Sequence, residues 1–296
     1  MQPLVLISAL TTLVHAAAVP TCDGNFIVTT KVTPSYWRAT FSCPPLNIQG
    51  LSFFHDYYAL IDQIEADSDV KVVVFDSSAL DFWLGHFDVI NSISPELSWD
   101  SYWGNVTRLA NLPVLTVASI RGITSGGGAE IAASLDIRFG SKEKTVVAQP
   151  EVSIGVVPGG GGLDLLPRLV GRARALEMVI GADAIDAETL AHYGWLNRAI
   201  PDGQFECFVE TFARRVAGWD HEGIASAKKI INKQSEFPAT AEWKEGFDAF
   251  ASNFNRTVVQ NRVAALKKAG LQTDLDFEKN MSELALQYTG PGPWNV

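Results

Sequence analysis

The sequence predicts an α/β fold assembled from strand–helix crossover units, with a helical region at the C-terminal end. Three observations carry that prediction. Runs rich in β-branched apolar residues at 71–75 and 114–120 read as buried strands. Segments of helical period or composition alternate with them: Phe53, Phe54, Tyr57, Leu60, Ile61 and Ile64 recur at three- and four-residue steps, and 130–135 and 172–180 follow. Such alternation implies βα crossovers. Amphipathic stretches then run on beyond Pro238. With 296 residues, 47% hydrophobic and 19% charged, the chain suits one large domain or a domain with a helical extension. We expect a core over 19–220 and a helical region with a polar tail over 221–296.

At the N-terminus, residues 4–14 form an apolar core too short to anchor in a bilayer, and Ala16, Ala17 and Ala18 offer a cleavage site. This predicts a signal peptide over 1–18 and an exported, extracellular chain, although no positive charge precedes the apolar core. No arginine occurs before Arg38, unlike a mitochondrial transit peptide, and the terminal Trp294-Asn295-Val296 is no peroxisomal address. Sequons at Asn105, Asn255 and Asn280 are permitted glycosylation sites in such a chain.

Residues 26–28 and 36–41 read as hairpin strands around Thr33-Pro34-Ser35. Antiparallel pairing brings Cys22 close to Cys43, and a disulfide between them would contribute about 3 kcal/mol. Cys207 is left over and is expected as a buried apolar thiol. Between 91 and 108, Trp99, Tyr102 and Trp103 either line a pocket or pack at a surface. Gly194 suits a helix C-cap, and 205–216 and 224–233 read as helices.

The chemistry concentrates between Ile120 and Gly162. There, Gly122-Ile123-Thr124-Ser125-Gly126-Gly127-Gly128-Ala129-Glu130 joins a strand to a helix, where backbone N–H groups lie open to a partially negative atom. Gln149-Pro150-Glu151 and Pro158-Gly159-Gly160-Gly161-Gly162 follow. Neither glycine turn carries the lysine of a P-loop, and Ile131 stands where a dinucleotide fingerprint needs glycine. Ile123 likewise excludes a nucleophile elbow at Ser125. What remains is a backbone donor site flanked by two carboxylates, suited to an oxyanion and to proton transfer. A lone glutamate in a first helical turn often only complements the dipole, and a lone glycine run is usually a turn. The three marks together favour a site.

These marks resemble the signature region of the enoyl-CoA hydratase/isomerase (crotonase) superfamily: Gly126 to Glu130, Leu135-Asp136-Ile137, Gln149-Pro150-Glu151, and Pro158-Gly159 with Gly161-Gly162. Similarity extends from about Pro44 to about Ala227. The resemblance implies a crotonase-like spiral of ββα units. It makes the N–H of Gly127 one oxyanion donor and gives Glu130 and Glu151 the acid–base work. Phe82-Trp83-Leu84-Gly85-His86-Phe87 fits the frame of the turn that supplies the other donor, so His86 takes that place. Phe87 replaces the usual aspartate, and no lysine follows where many CoA-binding members have one. The His86 side chain either adds a proton donor or leaves the work to its backbone. Leu84, Phe87, Trp103, Gly126, Pro158 and Gly159 are expected to border the substrate. Trimers or hexamers built through C-terminal helices are implied as well.

The expected mechanism places an acyl carbonyl oxygen between the N–H groups of His86 and Gly127. Glu151 handles the α-proton, and Glu130 positions or activates water. A net charge of −10 speaks against nucleic acid as a partner. No metal or cofactor is expected, and no membrane contact once the leader is removed. Export, acidity and the missing lysine sit poorly with a CoA thioester. A hydrolase or lyase acting on a non-CoA ketone or ester is therefore a second reading, and a non-catalytic binding protein a third. The retained glutamates weigh against the third.

Overall fold

The computed structural model describes residues 22, 24–91 and 98–289. The expected signal segment, 1–18, and the side chain of Trp99 lie outside what is described. The chain begins with β1 (Ile27–Thr33) and β2 (Tyr36–Phe41), antiparallel with Ile27 opposite Phe41. Their pairing brings Cys22 to Cys43, with Cα atoms 5.2 Å apart, and the two form a disulfide. Helix α1 (Leu51–Ala66) buries Phe53, Phe54, Tyr57, Leu60, Ile61 and Ile64, the face that the periodicity marks. Rings fill the space beneath it. Phe53 stacks on Tyr57 at 5.5 Å, and Trp83 meets Phe41 edge-on at 5.0 Å. Each buried ring contributes roughly 1.5–3 kcal/mol.

A strand–strand–helix unit then repeats. The first is β3 (Val72–Ser77), β4 (Phe82–Leu84) and α2 (Trp99–Asn111). The second is β5 (Leu115–Ile120), β6 (Ile123–Ser125) and α3 (Gly127–Ser134). The third is β7 (Ile137–Ser141), β8 (Val146–Ala148) and α4 (Glu151–Ile154). Next come α5 (Gly162–Val170), α6 (Arg172–Gly181), β9 (Ala184–Asp186), α7 (Ala187–Tyr193), β10 (Arg198–Ile200) and α8 (Asp202–Ala217). The leading strand of each unit joins a six-stranded sheet ordered β1-β2-β3-β5-β7-β10, and the second strand joins a four-stranded sheet ordered β4-β6-β8-β9. The chain is thus a spiral of ββα turns. Strands β3, β5 and β7 pair in parallel and are mostly buried, so they read as continuous apolar runs.

One face of the larger sheet packs on α8, where Phe205, Val209 and Ala213 meet Tyr36, Val74 and Val117. With Val216, those buried positions of α8 step by three and four. Cys207 falls on the opposite face and is exposed, which corrects the expectation of a buried thiol. A helix is buried only along the stripe that meets the sheet, and a small residue off that stripe stays in solvent.

The expected boundary at 220 falls between α8 and α9 (His221–Gln234). Four further helices follow: α10 (Lys244–Phe254), α11 (Thr257–Ala269), α12 (Leu275–Lys279) and α13 (Met281–Thr289). They are not a loose appendage. Trp243, just before α10, is fully buried and stacks on Trp103 at 4.3 Å. Val89, beyond β4, and Ile154 of α4 pack against Leu266, Leu271, Phe277 and Met281. The C-terminal helices therefore roof the space between the β4 turn and α4. Of the sequons, Asn255 and Asn280 are exposed at helix ends, whereas Asn105 is half-buried within α2 and donates to the Ser101 carbonyl at 2.8 Å.

Candidate active site

Two backbone turns meet under this roof. The strand β6 ends at Ser125, and the next N–H, that of Gly126, still donates to the Ala148 carbonyl at 3.0 Å. Its φ of 53° then swings the chain into α3, a conformation that glycine adopts without strain. Gly127 is the first helical residue, so its N–H has no intrahelical acceptor. Facing it is the turn after β4. There the His86 carbonyl accepts from Gln49 N at 3.0 Å and the Gln49 carbonyl from Asp88 N at 3.1 Å, leaving the His86 N–H unused. Among the described residues, neither N–H meets an acceptor. The Gln49 amide bridges the turns, with Nε2 donating to the Gly85 carbonyl at 3.0 Å.

The carboxylates stand on either side. Glu130, in the first turn of α3, does not serve its own helix dipole. Its Oε1 accepts from the N–H of Gly160 at 2.7 Å and of Gly162 at 2.9 Å, at the start of α5. Burial raises its pKa to about 7, although both N–H bonds favour the anion. Glu151 opens α4, and burial followed by the Glu130 charge drives its pKa well above the carboxylate range. With the Gln149 amide turned nitrogen-first, it donates to both Glu151 oxygens at 3.0 and 3.2 Å. Burial disfavours the charge on each, and the Glu130 charge disfavours it further on Glu151, so the two titrate as a pair. Such a pair can hold a proton on one carboxyl while the other accepts one, which is the division that acid–base chemistry needs.

The two turns and the glutamates line one cavity of about 130 Å³. His86, Gly127, Glu130, Glu151, Phe87 and Gly159 all reach it. Leu84, Gly126, Trp103 and Pro158 do not, which corrects their expected place against the substrate. Leu84 and Trp103 are fully buried, Leu84 with its carbonyl against Gly128 and Trp103 against Trp243. Gly126 lies beneath the cavity between His86 and Glu151, and Pro158 packs under Gly162. The aromatic alternatives divide by helix rotation. Tyr102, one residue before Trp103 and so about 100° round α2, faces the cavity, with its hydroxyl 3.4 Å from the Gly160 carbonyl.

Several lining residues had no signal in the sequence. Gln49 reaches the site from before α1, Phe247, Phe250 and Met281 come from the C-terminal helices, and Leu271 comes from the turn between α11 and α12. Glycines and acids concentrate in recognisable turns, but roof residues look like any amphipathic helix. Among the described residues, no group of three His, Cys, Asp or Glu side chains is placed to hold a metal ion. No lysine or arginine is among the described residues lining the cavity.

The raised carboxyl pKa values have a consequence for stability. A carboxyl whose folded pKa exceeds its unfolded one is favourable to folding only while protonated. Its cost grows as pH rises above the unfolded value, by about 1.4 kcal/mol per unit until the folded pKa is reached. Glu151→Gln removes that cost. Its melting temperature is therefore expected to exceed that of the wild type by more at pH 8 than at pH 5. A difference that stays constant across this range would show Glu151 to be an ordinary carboxylate.

Comparison with known proteins places the geometry in a wider group. The enoyl-CoA hydratase/isomerase family profile matches residues 38–272. Mitochondrial enoyl-CoA hydratase of Pongo abelii is 33% identical over 159 residues, 51% of this chain and 52% of that protein. The fatty acid oxidation complex subunit alpha of Shewanella halifaxensis is 33% identical over 150 residues, 48% of this chain and 21% of that one. The aligned part thus spans about half the length of the first relative and a fifth of the second. A crystal structure of a candidate enoyl-CoA hydratase from Streptomyces avermitilis superposes with a TM-score of 0.82 at 33% identity, covering 90% of this chain and 98% of that one. An enoyl-CoA hydratase structure from Geobacillus kaustophilus gives 0.68 at 25% identity, covering 83% and 95%.

Proposed function

Since the chain belongs to the enoyl-CoA hydratase/isomerase family, we propose that it forms and protonates the enolate of a carbonyl substrate, in hydration or double-bond shift of an α,β-unsaturated acyl compound. The observation that carries this is one cavity holding two unused N–H groups and two buried carboxyls. The substrate carbonyl oxygen accepts from His86 N and Gly127 N, which stabilise the charge as it develops. Glu151 exchanges the proton at the α-carbon, and Glu130, held by Gly160 and Gly162, orients or activates water. Each oxyanion donor is worth roughly 3 kcal/mol of barrier, and acid–base help a further factor of roughly a hundred to ten thousand.

Three of the four relatives are named for enoyl-CoA, and this chain's lining favours a different acyl carrier. Apart from the glutamates and the paired His86, the cavity is largely apolar, with Phe54, Phe87, Val156 and Phe250 in its wall. Asp88, beside it, is held below the usual carboxylate range: burial opposes that, and hydrogen bonds from Gln272 and Asn91 outweigh it. A phosphoanionic carrier would meet the Asp88 charge there, and no lysine or arginine among the described lining residues to offset it. The substrate class is therefore a neutral, compact, partly apolar enone or ester. Hydration of 3-penten-2-one and of crotonyl-CoA, followed by loss of enone absorbance, tests this. Turnover of the neutral enone with weak binding of the thioester is expected. Micromolar binding and turnover of crotonyl-CoA would return the chain to ordinary hydratase chemistry.

A further inference from the structure

His86 borders the cavity, and its ring is not free. Its Nδ1 lies 2.7 Å from the Phe87 carbonyl oxygen, and Nε2 lies 3.4 and 3.3 Å from the two carboxylate oxygens of Glu278. The Phe87 carbonyl can only accept and an ionised Glu278 accepts as well, so these surroundings suit a ring that carries a proton on both nitrogens. Burial opposes that charge, yet Glu278, the Phe87 carbonyl and Asp88 together raise the ring's pKa. The ionisable groups around it are Glu278 on α12, Asp88 on its own turn and Glu151 across Gly126.

Glu278 is 192 residues away in sequence, and its side chain is 1% exposed. Its Oε1 also accepts from Gln272 N at 2.6 Å, and Gln272 Nε2 donates to Asp88 Oδ1 at 2.9 Å. Glu278 and Gln272 thus fasten the C-terminal helices to both sides of the turn that carries the His86 N–H. Nothing in the chemistry assigned to Glu130 and Glu151 requires this arrangement.

We propose that Glu278 is a positioning residue for the enolate site: by holding His86 as an imidazolium, it fixes the oxyanion turn and sets positive charge behind the donor N–H. The proposal rests on the functional reading above. The ring hangs from the residue that supplies the donor, while the carboxylate lies beyond the ring. The pair therefore turns its positive end toward the oxyanion. Away from water such a dipole is weakly screened and needs no reorganisation as charge develops. Since Glu278 belongs to the roof, the donor is complete only when the roof is docked.

The enolate of benzoylacetone is a suitable probe, because its absorbance reports binding without turnover. Butyrophenone serves as the neutral ketone of similar size. Glu278→Gln is expected to weaken enolate binding by roughly tenfold or more and to leave butyrophenone binding unchanged, while Glu278→Asp retains most enolate affinity. Nitrogen NMR of the wild type should show both His86 ring nitrogens protonated well above the usual histidine range, and Glu278→Gln should lose that. Equal enolate affinity in wild type and Glu278→Gln overturns the proposal and leaves the functional reading intact. A wild type that binds no enolate overturns both. Should Glu278→Gln fail to fold, the wild-type ring decides: loss of its proton at an ordinary histidine pH refutes the ion pair.

Discussion

Glu151→Gln and Glu130→Gln are each expected to lower kcat by at least about a hundredfold while leaving the fold intact. Glutamine keeps the size and the acceptor oxygen of each side chain, so Gly160 and Gly162 still have a partner at position 130. What disappears is a group that can gain or lose a proton. The double variant should lose less than the product of the single losses, because both residues act on one transition state. Circular dichroism and gel filtration should match the wild type, and Glu151→Gln should even be the more stable protein at pH 8. That combination, lower activity with higher stability, is the signature of buried carboxyls retained for chemistry. A single variant with wild-type kcat, in an assay the wild type passes, would remove its residue from the mechanism.

Much of this architecture was legible because it depends on local composition. The helical period of Phe53 to Ile64 and the β-branched run ending at Ile120 report which faces are buried, and the structure buries them. The glycine turns were legible for a related reason: a backbone that must bend sharply or pass close to another leaves few residue choices. Contacts made late in the chain left no such trace. Glu278 sits in a short helix among Asp276 and Lys279 and reads as one more surface charge. Only the folding of α12 over the turn turns it into a buried partner of His86. Trp103 was ambiguous because it lies among polar residues and sequence alone does not fix which way that helix is turned, and Trp243 settles it by stacking. Gln49 carries no motif at all. Its role follows from its position between two turns that meet only in the fold.

The meeting of those turns rests on one position, Gly128, and Gly128→Ala is expected to be severe. A Cβ there would lie 2.1 Å from the Leu84 carbonyl oxygen and 2.8 Å from that of Gly85. Both atoms are backbone, so no side-chain rotation relieves the clash. Either the β4 turn or the start of α3 must retreat. Each carries one donor, His86 following Gly85 and Gly127 preceding Gly128, so any retreat separates the pair that must converge on one oxygen. Loss of one converging donor lowers kcat by about 10²–10³, and the displaced packing lowers the melting temperature as well. Gly104→Ala is the matched control, since a Cβ there meets nothing within 4 Å. Activity near that of the control in a folded Gly128→Ala protein would mean that the two turns do not jointly hold the substrate oxygen.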